Sequence, residues 1–358
     1  MGARREVVFF TPYASPLLSG SGSTGGAETQ LVLLARALAA RGRRVALTVL
    51  ADPGSLRTII DGVEIITLPR PPPNGGRAGL VAGLLRRVDA DVFVQRAAGS
   101  YTGLVGLVAR ARRRRFVYSS ASDLDFDATY LADDPTARRL FPVGIRCAQE
   151  IVVQTDVQAE MCRVEWAREG TVIRSIAEPA EQRTATPGAF VWAGRMVSYK
   201  RPEAFVELAS RVPEARFWMV GEAPAGIRAL AAGHANLELL DPRARPQLAA
   251  LLERAVAVVS TSDREGMPNV FLEAWARGVP ALALSHDPDL IIERHGLGAV
   301  GGDSLGRLAQ LTSAAWATRM DQDAIAARCR DYVAREHAAD AVAACWERVL
   351  RLSRAPGA

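Results

Sequence analysis

The sequence predicts an α/β protein with two Rossmann-like domains, each built on a parallel sheet. The chain has 358 residues, which favours two domains over one. Apolar runs typical of buried strands alternate with helical patterns in both halves. Between the halves, residues 174–188 are rich in Pro, Thr and Glu, as interdomain linkers often are.

The first half opens with a strand, a glycine-rich loop, a helix that ends at Gly42, and a second strand, which together form a Rossmann-like unit. Residues 69–76 (PRPPPNGG) predict an exposed loop. The strands predicted in this half are 7–11, 45–50, 64–68, 91–96, 116–120 and 151–155.

The second half repeats the alternation and ends in a helix predicted over 338–352. Its predicted strands are 190–193, 216–220, 237–240, 256–261 and 281–285, and its other predicted helices are 202–210, 247–255 and about 268 to Gly278.

The composition is that of a soluble globular protein, with 49% hydrophobic and 23% charged residues. No apolar run approaches the ~20 residues of a membrane span, and the N-terminal run VVFF is too short for a signal peptide. We therefore expect a cytoplasmic protein.

The four cysteines form no C-x-x-C pair and have no histidine cluster nearby, so we predict buried thiols and no metal site.

The net charge of +5 lies entirely in the first half, because residues 1–180 hold 23 arginines against 18 acids. Part of the excess is a run at the end of a helical pattern, Arg110 and Arg112 to Arg115. Such a run is either a solvated helix end or a contact with anionic lipid or an anionic acceptor. A peripheral contact with the inner membrane face therefore stays open, whereas we expect no nucleic-acid partner.

The glycine-rich loop spells G-x-G-x-x-G with Gly20, Gly22 and Gly25, and Asp52 follows the second strand. This pattern is typical of a dinucleotide site when the glycines directly follow the strand. Here eight residues intervene, so an NAD-dependent oxidoreductase is only an alternative reading.

Residues 261–278 (TSDREGMPNVFLEAWARG) predict a strand end, a polar loop and a helix. Free backbone N–H groups at such a helix start favour an anion. Glu265 and Glu273 frame the turn, and carboxylates accept hydrogen bonds from hydroxyls. The alternative is a solvated pair of surface glutamates.

The stretch EGMPNVFLE resembles the Glu-x7-Glu motif of retaining, nucleotide-sugar-dependent family-4 glycosyltransferases of the GT-B fold. The resemblance covers nearly the whole chain and implies two domains that face each other across a cleft. It places Glu273 on the ribose hydroxyls and Glu265 beside the transferred sugar. The donor loop between them consists of Gly266, Met267, Pro268 and Asn269.

Two further stretches resemble the same family. GRMVSYKRPE matches its diphosphate-binding pair, here Arg195 and Lys200, and Gly25 and Gly26 match its GGAE stretch, where the backbone approaches a diphosphate or an acceptor. Lys200 is the only lysine among 44 basic residues, so the chain keeps its one compact ammonium where a leaving phosphate needs a point charge.

The acceptor side departs from the family pattern. Many members carry a histidine near residues 120–123, but this chain has no histidine in its first half. Asp123 is our substitute candidate, with a loop-capping role as the alternative. Gln95 and Arg96 also fall at a predicted strand end, where ligands of such sheets bind. His286 and His295 read as loop or packing residues.

The last helix resembles the family's terminal helix, which returns to the first domain; the alternative is a helix that caps the second. We therefore set the domains at 1–178 with 340–358, and 179–339. The predicted function is a hexosyltransferase that moves a sugar from a nucleoside diphosphate sugar to a glycan, lipid-linked or small-molecule acceptor, with retention and without metal or cofactor. A nucleotide- or sugar-binding protein without transfer activity is the main alternative, and an epimerase is another.

Overall fold

A computed structural model of the chain describes residues 4–20, 22, 24–52, 54–71, 78–127, 129–181, 183–242 and 245–352. Part of the predicted loop over 69–76 therefore lies outside the described residues. The chain forms two compact units. One comprises the chain up to Ile176 and the segment from Ala339 onward, and the other is Ala177–Ala338.

The first unit contains, within its described residues, an eight-stranded sheet in which the first strand lies near the centre. In the order of the chain, its strands are β1 Arg5–Phe10, β2 Val45–Leu50, β3 Ile59–Ile60, β4 Val63–Leu68, β5 Ala90–Arg96, β6 Arg115–Ser119, β7 Glu150–Val153 and β8 Thr171–Val172. Its sheet order is β3-β4-β2-β1-β5-β6-β7-β8, and every pairing is parallel except that of β3 with β4.

Helices cover both faces of this sheet, because successive side chains of a strand point to opposite faces. In β1, Val7 and Phe9 belong to one core, and Val8 and Phe10 belong to the other. The helices up to Ile176 are α1 Ser15–Ser19, α2 Gly26–Ala40, α3 Ala78–Arg87, α4 Ser100–Ala111, α5 Pro135–Cys147 and α6 Asp156–Trp166.

The crossing of α4 and α5 depends on glycine. A Cβ atom added at Gly103 would lie 2.2 Å from the Leu140 carbonyl oxygen, and one at Gly144 would lie 2.5 Å from the Thr102 carbonyl carbon. Neither position has room for a side chain, so the two backbones approach closely. This contact fixes the start of α4, which directly follows the carboxyl end of β5.

The second unit holds a six-stranded, fully parallel sheet, counted over the described residues, in the order β11-β10-β9-β12-β13-β14. Its strands are β9 Ala189–Ala193, β10 Phe217–Val220, β11 Leu237–Leu240, β12 Ala255–Ser260, β13 Ala281–Ala283 and β14 Gly298–Val300. Its helices are α7 Pro202–Arg211, α8 Ala225–Ala231, α9 Arg245–Glu253, α10 Asn269–Ala276, α11 Ile291–His295, α12 Leu305–Ala317 and α13 Asp323–Glu336.

The last helix, α14 Ala339–Leu350, packs in the first unit. Its Trp346 is buried in the same core as β1. Glu347 accepts hydrogen bonds from Arg43 Nε at 2.6 Å and Arg41 Nη2 at 3.0 Å, and both arginines follow α2. Apolar burial and a partly buried charge network therefore hold α14 against α2.

The basic run after α4 makes several contacts inside the first unit. Arg112 donates to the Leu85 carbonyl, Arg114 to Asp89 at 3.3 Å, and Arg115 to the Leu350 carbonyl at 2.7 Å. Three of its five arginines therefore tie together α3, the sheet and α14.

Of the four cysteines, three are buried and Cys345 is half-buried, and all four are free thiols.

No helix formed by the described residues combines the length and the apolar character needed to cross a bilayer.

Candidate functional site

The site begins with two neighbouring strands of the second sheet, β9 and β12. The loop after β9 carries Lys200, and the loop after β12 carries Glu265. Their side chains meet, with 2.6 Å between Lys200 Nζ and Glu265 Oε1, and they are only 19% and 15% exposed. Ser262 Oγ donates to the same carboxylate oxygen at 3.0 Å. Because parallel strands end at one edge of the sheet, two residues far apart in the chain form a half-buried ion pair, here called the Lys200–Glu265 pair.

A buried hydroxyl holds the two loops together. Thr261 Oγ1 lies 2.7 Å from the Lys200 carbonyl oxygen and 2.9 Å from that of Arg201, and Trp192 Nε1 donates to it at 3.1 Å. Asp263 N donates to the Tyr199 carbonyl at 2.9 Å. These bonds fix the backbone on both sides of Lys200, so the position of its ammonium group depends on β12 as well as β9.

Two glycines lie close together beneath the lysine side chain. A Cβ atom at Gly194 would lie 3.4 Å from Lys200 Nζ, so the lysine lies directly over this backbone. At Gly221 a Cβ atom would lie 2.3 Å from the Gly194 carbonyl oxygen, and its φ of +156° also disfavours a side chain. Gly221 is therefore a structural requirement of the site, which its sequence context did not reveal.

Arg195 directly follows Gly194 and is exposed. Its Nη2 lies 3.3 Å from the hydroxyl oxygen of Tyr199. The structure thus brings three of the predicted residues, Arg195, Lys200 and Glu265, to one edge of the second sheet.

The donor loop predicted from the motif leads into α10. Gly266, Met267 and Pro268 are buried, and the helix begins at Asn269 and is followed by Gly278 with a φ of +75°. Pro268 occupies the cap position, and no side chain caps the helix start. Phe271 N donates to the Pro268 carbonyl oxygen at 3.1 Å. The start of a helix is a position where backbone N–H groups and the helix dipole favour an anion.

Sequence reasoning missed His286 as a neighbour of this loop. Its Nε2 lies 3.2 Å from the Gly266 carbonyl oxygen. His295, by contrast, packs against the ring of Tyr332, with 4.8 Å between the ring centroids. His286 follows β13 and reaches the loop after β12 because the two strands are neighbours in the sheet. In the sequence, the one sign of this role is that His286 comes directly after a predicted strand.

Glu273 lies one turn into α10, on the half-buried stripe that also contains Asn269 and Arg277. These residues are four positions apart and therefore share one helix face. Arg277 Nη1 donates to the Glu273 carbonyl oxygen at 2.8 Å. The proposed binding of ribose by Glu273 remains a prediction.

Gly25, Gly26 and Asp123 lie in the first unit. Gly25 precedes α2 in an extended conformation, and a Cβ atom there would lie 2.8 Å from Glu28 Oε2, so a carboxylate of the chain itself lies over this helix start. The helix α1 occupies residues between β1 and Gly20. The glycines therefore do not directly follow the strand, unlike those of a dinucleotide fingerprint.

Asp123 is half-buried at the start of a short 3-10 turn after β6, and its Oδ1 accepts from Gln158 Nε2 at 2.9 Å. The turn is capped by Ser122, whose side chain accepts from Leu124 N. Asp125, not Asp123, is the buried acid of the segment. It accepts from Tyr118 Oη at 2.8 Å, Ala121 N at 2.7 Å and Ala98 N at 3.2 Å.

Burial raises the pKa of Asp125, and these hydrogen bonds oppose the shift. Because Asp125 accepts from Ala98 after β5 and from Ala121 after β6, it joins the two loops. Across the described ranges, no three His, Cys, Asp or Glu side chains are grouped closely enough to hold a metal ion.

Two family models match the chain. One, described as a glycosyl transferase 4-like domain, matches residues 25–176, and the other, described as glycosyl transferases group 1, matches residues 187–318. A curated relative, the D-inositol 3-phosphate glycosyltransferase of Mycobacterium avium, is 26% identical over 97% of this chain and 95% of that protein.

Solved structures share the fold along almost the full length. Sucrose-phosphate synthase from Thermosynechococcus elongatus aligns with a TM-score of 0.76 at 17% identity and covers 97% of this chain and 98% of that one. Anabaena HepE, solved in complex with UDP and glucose, aligns with a TM-score of 0.74 at 18% identity over 98% and 100% of the two chains. With two sheets of this topology, and with both family models on one chain, the protein belongs to the family-4 glycosyltransferases of the GT-B fold.

Proposed function

We propose that this glycosyltransferase moves a hexosyl group from a nucleoside diphosphate sugar to an acceptor, with retention at the anomeric carbon. The observation that carries the proposal is the Lys200–Glu265 pair at the carboxyl edge of the second sheet. The loop that holds Glu265 leads to the start of α10, which no side chain caps. Ligands of such sheets bind at this edge. Retention follows from the resemblance to the retaining family.

The charges suit the chemistry of the donor. Cleavage of the sugar–phosphate bond leaves negative charge on the diphosphate and develops positive charge on the sugar. The ammonium group of Lys200 has three donors, and Glu265 takes one, so two serve the diphosphate. Arg195 and the backbone N–H groups near 266–269 add to this stabilisation, which fixed groups provide without reorganisation.

The carboxylates have separate roles in this proposal. Glu265 lies beside the transferred sugar, where its negative charge favours the cationic transition state, and it also holds Lys200 in position. Glu273 accepts hydrogen bonds from the ribose hydroxyls. Because the protein supplies the cations for the leaving group, transfer proceeds without a metal, and an excess of EDTA leaves the rate unchanged.

On the acceptor side, we keep Asp123 as the candidate catalytic residue. The backbone at Gly25 and Gly26 is kept as a contact to the diphosphate of the donor or to the acceptor. The acceptor is a glycan, a lipid-linked sugar or a small molecule, and the reaction takes place in the cytoplasm, where nucleotide sugars are available. A peripheral contact with an anionic membrane surface would use Arg110 and Arg113, since three other arginines of the run make contacts within the first unit.

The test is a panel of nucleotide sugars incubated with the purified protein. UDP-glucose comes first, because UDP and glucose were present in the HepE structure. We expect release of the nucleoside diphosphate as the sugar passes to water or to an added acceptor. NMR of the anomeric proton, recorded on the transferred product or before the free sugar mutarotates, should show the donor's configuration. Nucleotide binding without release would favour a binding protein, and thermal stabilisation by NAD but not by UDP or GDP would favour an oxidoreductase.

A further inference from the structure

A concavity open to solvent lies at the carboxyl edge of β1 and β5 in the first unit. Its walls include Thr11, Tyr13, Glu28, Arg96 and Tyr101. We call this concavity the Arg96 cavity, because among its lining residues Arg96 alone is positively charged.

Among the described residues, the hydrogen-bond partners of the Arg96 guanidinium are all neutral. Nη1 donates to Ser119 Oγ at 3.2 Å. The side-chain amide of Gln154 is oriented so that its oxygen and its nitrogen both have hydrogen-bond partners. In this orientation the amide oxygen accepts from Arg96 Nη2 at 2.5 Å. Nε is buried and has no partner among the residues that the structure describes. A planar fork of donors is thus held in place without its charge being neutralised.

Acids near Arg96 act at longer range. Within the described part of the chain, no carboxylate oxygen forms an ion pair with it at 4 Å or less. Burial lowers the pKa of Arg96 to about 10, although Asp125, Tyr118 and Glu28 oppose the shift. The Arg96 guanidinium therefore remains charged at neutral pH. Its neutral partners Ser119 and Gln154 do not offset the free energy that desolvation of this charge costs.

The other walls suit a hydroxylated ring. Tyr13 is 57% exposed and its ring meets that of Tyr101 edge-on, with 6.3 Å between the centroids. Aromatic faces pack against the apolar faces of sugar rings, and the Glu28 carboxylate is an acceptor for hydroxyl groups. A ligand with hydroxyl groups at one end and an anionic group at the other would match this cavity. The hydroxyls would donate to the Glu28 carboxylate, and the anion would accept from the Arg96 guanidinium.

We propose that the Arg96 cavity binds the acceptor and that Arg96 selects an acceptor with an anionic group, a phosphate or a carboxylate. This inference rests on the proposed transfer reaction and adds the charge class of the acceptor. Arg96 binds the anion through its planar fork, and Glu28 accepts from the hydroxyls.

The test compares three hexoses that differ in charge: glucose 6-phosphate, glucuronate and glucose. Binding is measured by calorimetry on the full chain carrying Lys200→Met, which removes the competing phosphate-binding cation of the second unit. We expect at least one anionic hexose to bind ~10- to 100-fold more tightly than glucose, as expected for one charge-assisted bond. The preference for one anion over the other identifies phosphate or carboxylate.

Adding Arg96→Met should abolish the preference, whereas adding Arg139→Met, which removes an exposed arginine from α5, should preserve it. Equal binding of the three hexoses, or no binding of any, would overturn the proposal, as would an unchanged preference in the Arg96→Met protein.

Thermal unfolding supplies a second readout. A cation without a carboxylate partner contributes little to the fold, so Arg96→Met should leave the melting temperature unchanged or raise it. A lowered melting temperature together with lost binding would assign Arg96 to the fold and contradict the proposal. UDP binding by the unmodified protein is measured separately, since a failure there counts against the proposed donor and not against Arg96.

Discussion

The two cations at the carboxyl edges of the two sheets differ in how their charges are balanced. Lys200 is paired with Glu265 at 2.6 Å, whereas Arg96 donates to Ser119 and Gln154, which are neutral. An ion pair holds a flexible ammonium in one geometry before a ligand arrives. A rigid guanidinium needs no such restraint, and its neutral partners leave its charge for the ligand. The comparison indicates a preformed donor site and a cavity that selects by charge.

The largest effect is expected from Lys200→Ala. The variant loses a charge-assisted bond to the leaving diphosphate and leaves Glu265 half-buried without its cation, so turnover should fall ~10- to 100-fold, or by ~1.5–3 kcal/mol. Release of nucleoside diphosphate from the donor measures it. Arg211→Ala, which removes an exposed cation from α7, is the control and should leave turnover unchanged. Full activity in Lys200→Ala would remove the phosphate role from the pair.

A second variant tests whether the donor site depends on backbone packing. Gly221→Ala places a methyl group 2.3 Å from the Gly194 carbonyl, which must move together with the lysine above it. Overpacking of this kind should lower the free energy of unfolding by about 1–3 kcal/mol and reduce turnover as well. Urea unfolding measures the loss.

The control for this change is Gly226→Ala in α8, where an added Cβ atom meets nothing within 4 Å. Alanine favours a helix over glycine, so this variant should be slightly more stable. Equal stability of the two variants would show that the approach of Gly221 to Gly194 is not a constraint.

Glu273→Ala separates binding of the nucleoside from binding of the phosphates. Loss of a carboxylate that accepts from ribose hydroxyls should weaken UDP binding by about tenfold, as expected for one or two hydrogen bonds. Calorimetry with UDP measures it, and Glu253→Ala on the exposed end of α9 is the matched control. An unchanged dissociation constant would contradict the ribose role.

The smallest effect concerns α14, which packs against α2 in the first unit. Burial alone raises the pKa of Glu347, but hydrogen bonds from Arg41 and Arg43 outweigh it, and the pKa is lowered. A lowered pKa stabilises the fold above the ordinary glutamate pKa, and this contribution is lost as the pH falls through the folded-state value.

Glu347→Gln should therefore cost about 1 kcal/mol at pH 7 and progressively less as the medium is acidified below about pH 4. Urea unfolding at several pH values measures the difference between the variant and the unmodified protein. A difference that does not depend on pH would show that the network contributes through packing instead of charge.

Much of the fold could be predicted from the sequence, because long strands carry a continuous apolar signal. Every predicted strand is present within a residue or two, and the strand predicted over 256–261 is observed at Ala255–Ser260. The strands β3, β8 and β14 escaped prediction because two or three residues carry no periodic pattern.

The site was less accessible to prediction. A motif can place Lys200 and Glu265 each at a strand end, but only the order of the strands brings them into contact. His286 and Gly221 also contact the site only through the order of the strands, because His286 reaches Gly266 and Gly221 lies against Gly194. In the segment 123–127, acids alternate with apolar residues, and a sequence cannot show which acid turns inward. The structure buries Asp125, whereas the prediction singled out Asp123.

The most direct test of the central claim is a crystal structure of the protein with UDP bound. The account predicts a phosphate oxygen within ~3 Å of Lys200 Nζ, as in a charge-assisted hydrogen bond, and the ribose hydroxyls on the carboxylate of Glu273. A diphosphate bound with no oxygen near Lys200 Nζ would contradict it.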